Sequence, residues 1–117
     1  MHYSGGMEDI YRECLLMFCQ MKADTMKKMA EHMETGNWKD YTILAHALKS
    51  TSLSVGGKQL SAVAKALEAA GLRYQEEDAD AAEKDKAIAF IRQHHEEAMR
   101  LYDTLTAEAE RRFNIHA

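Results

Sequence analysis

The chain has 117 residues, 46% of them hydrophobic, and a formal net charge of -4 at pH 7. This length and composition suit one soluble globular domain with one core. The acidic balance argues against nucleic acid or an anionic membrane surface as the main partner. The longest apolar run, from Cys14 to Cys19, is too short to cross a bilayer, and no signal-peptide pattern precedes it.

The distribution of helix-breaking residues is that of a helical protein. There is no proline, and no segment alternates as a strand does. The two cysteines have neither zinc-binding nor redox spacing, so we expect reduced helix residues in a cytosolic protein. The glycines mark the places where helices can stop: Gly5-Gly6, Gly36, Gly56-Gly57 and Gly71.

Residues 1–6 are predicted to be a lead-in, and residues 7–115 a single helical domain. Helical patterning starts near Met7 and continues to Gly36, with apolar residues at three- and four-residue steps. Asp24 lies in a polar stretch and could cap a new start, so this segment is either one bent helix or two. Its methionines follow the helix period without partnering histidines, which predicts core residues rather than metal ligands.

The second helix is predicted to begin after Asn37, an N-cap with Asp40 in the capping-box position. Gly56-Gly57 ends it. His46 lies roughly 150° from the centre of the apolar stripe, so we expect the ring to face water. That stripe consists of Tyr41, Leu44, Ala45, Leu48, Ser52 and Val55.

The surface around His46 is predicted from helix geometry. Residues three and four apart share a helix face, so the neighbours of His46 on its own helix are Thr42, Lys49, Ser50 and Leu53. A third helix, from Lys58 to Gly71, should run antiparallel across the tight turn. Counting the rise from the turn places Glu68 level with His46, with Lys65 further out.

The last helix follows an acidic stretch from Leu72 to Asp80. Asp80 with Glu83 resembles a second capping arrangement, and apolar residues then recur from Ile88 to Ala109. The whole pattern predicts an all-α, up-and-down antiparallel four-helix bundle. A short extra N-terminal helix would be added if the first segment breaks near Lys22.

The other histidines are weaker candidates for chemistry. His94 and His95 point about 100° apart on a helix, so they cannot ligate one metal from the same face. His95 lies on the apolar stripe and is expected to be a hydrogen-bonded interior or boundary residue. His2, His32 and His116 are predicted at the surface. No P-loop, nucleotide cradle or recognisable nucleophile and base occurs, which argues against a kinase or hydrolase.

The run His46-Ala47-Leu48-Lys49-Ser50-Thr51-Ser52, followed by Gly56, Leu60 and the segment 64–68, resembles the signature of histidine-containing phosphotransfer (HPt) domains. These domains are the carriers of multistep two-component relays. The resemblance covers nearly the whole chain. Two departures occur: Ser50 stands where many members have glycine, and the acidic stretch 74–85 is longer than usual.

The resemblance implies that His46 accepts a phosphoryl group from an aspartate on a receiver domain and passes it to another receiver. Imidazole keeps an unprotonated, nucleophilic nitrogen at neutral pH. Lys49 would place positive charge near the phosphoryl oxygens, and Glu68 would orient the ring. The receiver would supply Mg²⁺, so we expect no cofactor, metal or ATP site in this chain. The predicted partner-binding residues are Thr42, Ser50, Leu53 and Lys65.

The expected setting is cytoplasmic, with receiver domains as partners, no nucleic acid, no direct membrane contact and a monomer as isolated domain. Members of the family occur both free and as the last domain of hybrid sensor kinases, and both settings stay open. The first residues resemble the family pattern without its usual start, which favours a domain of a longer hybrid protein, for example the cytoplasmic C-terminal domain of a membrane-bound kinase. Two alternatives stay open. One is a bundle that docks receivers without carrying phosphate. The other is a metal-binding bundle, although the paired Glu-x-x-His motifs of di-iron bundles are missing.

Overall fold

The computed structural model describes residues 6–113 and contains four helices. They are α1 (Gly6–Thr35), α2 (Trp38–Ser54), α3 (Lys58–Gln75) and α4 (Ala81–Phe113). Helix α2 packs on α3, α3 packs on α4, and α1 packs on both α2 and α4. The described range contains no strand, and the predicted all-α antiparallel four-helix bundle is confirmed.

Helix α1 continues through the polar stretch where the sequence left a break open. Asp24 does not cap a second helix there, because its carboxylate pairs with Lys28 one turn along at 3.1 Å. Lys22 pairs with Asp103 of α4 at 2.8 Å, which ties the middle of α1 to the last helix. The first segment is therefore one helix.

The predictions for the chain ends are only partly covered by the structure. Gly6 begins α1, whereas the rest of the predicted lead-in, residues 1–6, lies outside the described residues. His2 and His116 lie outside them as well. The predicted domain limits, residues 7–115, stay a prediction.

Both predicted N-caps are present. The Asn37 side chain accepts a hydrogen bond from the Asp40 backbone N–H at 3.3 Å, and Asp80 accepts one from the Glu83 N–H at 2.8 Å. Each bond satisfies a backbone donor that the first turn of a helix leaves open. Beyond the end of α2, Gly56 has a φ of 83°, a conformation that costs glycine little.

Gly71 does not end α3, so the prediction that the third helix ends at this glycine is wrong. The helix continues to Gln75. Gly71 is buried against α2, where an added Cβ would overlap the Thr42 side chain. Its missing side chain therefore serves the close approach of two helices rather than a turn.

The core is a column of aromatic and aliphatic side chains between the four helices. The Phe18 and Tyr102 rings join α1 to α4 with centroids 4.7 Å apart, and Trp38 meets Tyr41 edge-on at 5.9 Å. Such tilted and edge-on pairs are the favoured aromatic geometries. Other fully buried side chains are Met29, Leu48, Leu60, Leu67 and Ile91.

The methionines of α1 divide into two groups. Met29 is fully buried, and Met26 and Met33 pack against the core as predicted. Met17 and Met21, however, are exposed. The prediction of core packing is wrong for these two, because they lie on the side of α1 that faces away from α2 and α4.

Both cysteines are free thiols in helix α1, as the spacing predicts. Cys19 is buried, and burial raises the pKa of its thiol. Among the four described helices, none is both long enough and apolar enough to cross a membrane.

Candidate functional site

His46 lies in the middle of α2 and faces solvent. Its side chain is 61% exposed, whereas Tyr41, Ala45 and Leu48 on the opposite side of the helix are buried. The phase of the helix therefore places the imidazole on the surface, as predicted.

Glu68 of α3 reaches across to His46. This contact confirms the prediction that the two residues lie at the same height along the antiparallel helices α2 and α3. One carboxylate oxygen, Oε2, lies 2.5 Å from His46 Nδ1, and the other, Oε1, lies 2.8 Å from Lys49 Nζ. The Glu68 side chain is only 14% exposed. A single, largely buried carboxylate thus bridges the histidine and the lysine.

The charge state of Glu68 determines which nitrogen of His46 is available. The hydrogen bond from Lys49, helped by His46, lowers the pKa of the Glu68 carboxyl against the opposing effect of burial. An ionised carboxylate can only accept, so His46 Nδ1 must donate its proton to it. In the neutral ring the lone pair then lies on Nε2, at the other side of an exposed imidazole.

Four of the predicted neighbours lie together at the surface. Ser50, Leu53 and Lys65 are exposed, and they line a shallow depression together with Lys49, Lys58 and Ser61. Three lysines therefore border this depression, in a chain whose formal net charge is -4. The structure brings these side chains together from α2 and α3, as the sequence predicts.

Thr42 is the exception, and its predicted exposure is wrong. The residue is only 6% exposed. Its hydroxyl donates to the Trp38 carbonyl at 2.6 Å and accepts a hydrogen bond from Gln75 at 3.2 Å. Helix α3 covers this flank of α2, because Gly71 opposite Thr42 has no side chain to keep the helices apart.

Two exposed apolar side chains near the site were not predicted. Ile43 precedes His46 by three residues on α2, and Leu72 follows Glu68 by four residues on α3. Both are exposed, as is Leu53. The three- and four-residue steps from His46 and Glu68 are the signal that could have found them. Adjoining exposed apolar residues, unlike single ones, can mark a docking surface.

The remaining histidines have structural surroundings. His95 is 5% exposed and shares a hydrogen bond of 2.8 Å with the Tyr41 hydroxyl, which confirms an interior position. Burial lowers the pKa of His95. His94 pairs with Glu97 at 3.2 Å, and His32, predicted at the surface, is half-buried. Within residues 6–113, no three His, Cys, Asp or Glu side chains are placed to hold a metal ion.

The fold and the site together define a class of protein: a four-helix bundle that presents one solvent-facing imidazole whose second nitrogen is held by a carboxylate. The family model of the Hpt domain matches residues 13–111, and the chain belongs to that family. Hpt domains are histidine phosphotransfer modules of phosphorelays; they carry phosphoryl groups rather than act as kinases, and they interact with receiver domains. Neither the curated proteins nor the solved structures searched contain a match.

Proposed function

We propose that His46 accepts a phosphoryl group from the phosphorylated aspartate of one receiver domain and passes it to the aspartate of another. The observation that carries this proposal is the exposed imidazole with Nδ1 held by Glu68 at 2.5 Å. This arrangement leaves Nε2 as a nucleophile that points away from its own protein.

In the proposed step, the Nε2 lone pair attacks phosphorus in line with the aspartyl oxygen. The Nε2–P bond forms as the P–O bond breaks, and the electron pair of that bond leaves on the aspartate carboxylate. The ring gains positive charge while it keeps its Nδ1 proton, and the Glu68 carboxylate stabilises that charge. Transfer to the second receiver is the reverse of this step.

Lys49 supports the same step in two ways. Its hydrogen bond to Glu68 keeps the carboxylate ionised, as the lowered pKa of Glu68 indicates. Its positive charge and that of exposed Lys65 also favour the approach of a phosphoryl group. The receiver would bring the Mg²⁺ ion and the acidic pocket that in-line transfer requires.

The apolar side chains around the histidine would form the receiver contact. Ile43 and Leu53 flank His46 along α2, and Leu72 lies on α3; all three are exposed. Ser50, one turn beyond His46, is small and exposed, so it leaves room for the partner surface close to the ring. This set replaces the predicted set that included the buried Thr42.

The test is phosphoryl transfer from phosphorylated receiver domains to the wild-type domain and to His46→Gln. We expect the wild type to take up an acid-labile label, as a phosphoramidate does, and His46→Gln to take up none. His32→Gln, in the last turn of α1, is the matched control and should accept label like the wild type. Label on His46→Gln at the wild-type level would refute the assignment.

The same experiment tests the alternative of a docking bundle. In that case receivers would bind the wild type and His46→Gln with equal affinity, and no receiver would transfer label to either. The exposed apolar residues would then serve binding alone.

A further inference from the structure

The interface between α2 and α3 carries polar contacts on both sides of the site. At one end, the Gln75 side chain donates a hydrogen bond to the Thr42 hydroxyl at 3.2 Å. At the other, the Ser61 hydroxyl donates to the Lys49 carbonyl at 2.8 Å. Glu68 lies between these two contacts along α3. The spacing of the two helices at Glu68 is therefore constrained from both directions.

The closest approach of the two helices lies at Thr42 and Gly71. A Cβ added to Gly71 would come within 3.1 Å of Thr42 Cβ and still closer to the Thr42 hydroxyl oxygen. Gly71 follows Glu68 by three residues and Thr42 precedes His46 by four, so both lie one helical turn from the site.

The Thr42 side chain is held in one position at this contact. Its hydroxyl donates to the Trp38 carbonyl at 2.6 Å, within its own helix. Gln75 donates both to that hydroxyl and to the Gly71 carbonyl, the latter at 2.9 Å. To make room for a Cβ on α3, this side chain would have to break both hydrogen bonds of its hydroxyl, and the approach to Thr42 Cβ at 3.1 Å would remain, so an added Cβ favours separation of the helices.

The hydrogen bond between His46 and Glu68 depends on that separation. Its length of 2.5 Å means that a shift of about 1 Å would carry it beyond the usual range of a hydrogen bond. We propose that Thr42 and Gly71 are positioning residues, whose contact holds α3 close enough to α2 for Glu68 to fix the tautomer of His46. This inference deepens the proposed phosphotransfer role and rests on it for its functional consequence.

The first test compares the variant Gly71→Ala with the double variant Gly71→Ala/Thr42→Ala. Ring ¹⁵N chemical shifts of His46 at neutral pH report the fraction of the tautomer with its proton on Nδ1. We expect that fraction to fall in Gly71→Ala and to recover in part in the double variant, which removes the Thr42 hydroxyl and methyl but keeps the Cβ–Cβ approach of 3.1 Å. Alanine is a better helix former than glycine, so helix propensity alone predicts no such loss.

The second readout is single-turnover phosphoryl transfer at increasing receiver concentration. We expect the maximal rate of Gly71→Ala to fall on the order of tenfold, because the nucleophile is no longer oriented. The receiver concentration at half-saturation should change less than the rate, since no docking residue is substituted and only those on α3, such as Leu72, shift with the helix. The double variant should recover part of the rate.

A folded Gly71→Ala with wild-type tautomer and rate, or a double variant that recovers neither, would overturn the inference. If Gly71→Ala does not fold, Thr42→Val takes its place, because it puts a larger methyl group where the Thr42 hydroxyl meets Gly71 and removes the hydrogen bond from Gln75. Unchanged tautomer and rate in Thr42→Val would then overturn the inference. The tautomer measurement needs no receiver, so a wild type that accepts no phosphate refutes the proposed function without deciding this point.

Discussion

His46 and His95 show how two environments in one small bundle give the same side chain opposite properties. His46 is exposed on α2 and pairs with a carboxylate, Glu68, that is itself bound to Lys49. His95 is buried on α4 and pairs with a neutral hydroxyl, that of Tyr41. The first environment tolerates positive charge on the ring and leaves one nitrogen open. The second disfavours the charge and uses the ring as a packed core residue.

The comparison extends to what each histidine contributes. An exposed ion pair adds little to stability, so we expect the partners of His46 mainly to orient its ring. A buried hydrogen bond between well-packed side chains matters for folding, because either partner left alone is costly. Chemistry should therefore depend on the surface site, and folding on the core site.

The largest expected effect is on stability when His95 is truncated. His95→Ala should lower the free energy of unfolding by about 2–4 kcal/mol, because it leaves a cavity and a Tyr41 hydroxyl without its partner. His46→Ala is the matched control and should cost less than about 1 kcal/mol. Urea denaturation measures both. Equal losses in the two variants would contradict the division between core and site.

A smaller effect is expected on transfer when the carboxylate at His46 is removed. Glu68→Gln should lower the phosphoryl transfer rate on the order of tenfold while the protein stays folded, because it removes the charge that orients a reactive imidazole. Glu97→Gln is the matched control: it alters another glutamate paired with a histidine, His94, at 3.2 Å. Loss of rate in Glu97→Gln, or none in Glu68→Gln, would argue against a specific role for Glu68.

The pH dependence of stability should separate the two environments. Burial lowers the pKa of His95 in the folded state, so the unfolded chain binds the proton more readily. The stabilisation is complete above about pH 6.5 and declines at lower pH, by at most about 1.4 kcal/mol per pH unit. Glu68, whose pKa is lowered first by its bond to Lys49, stabilises the fold above its ordinary value of 4.5 and loses that effect as the pH falls further.

Urea denaturation at several pH values measures these two windows. His95→Gln should flatten the decline just below about pH 6.5, and Glu68→Gln should flatten it only in the more acidic range. A wild-type stability that is constant from about pH 8 to about pH 5 would contradict the first of these expectations.

The smallest expected effect concerns Lys49. Lys49→Ala should slow phosphoryl transfer by about two- to threefold, since a partly exposed charge is screened and worth little more than this. High salt should reduce the difference between Lys49→Ala and the wild type. Lys28→Ala, which breaks a lysine pair with Asp24 on α1, should leave the transfer rate unchanged. An equal loss in both variants would indicate a general charge effect.

The features that could be predicted depend on one helix at a time or on a short turn. The phase of α2 placed His46 outside, and the phase of α4 placed His95 inside, because helical periodicity relates every residue to the apolar stripe of its own helix. The caps at Asn37 and Asp80 follow from local hydrogen bonding. Glu68 could be aligned with His46 because the rise per residue and the turn at Gly56 determine the level of α3.

The features that could not be predicted depend on the direction from which a neighbouring helix approaches. Helical periodicity puts Thr42 near His46, yet α3 covers it. In the sequence, Gly71 cannot be distinguished from a glycine that ends a helix. Only its position against Thr42 shows that it serves the packing of α3 on α2. The sequence thus determined the helices, the exposed histidine and its carboxylate, because these follow from local geometry. Tertiary structure alone decided which flanks are covered and how closely α3 holds Glu68 to His46, because these depend on contacts between distant residues.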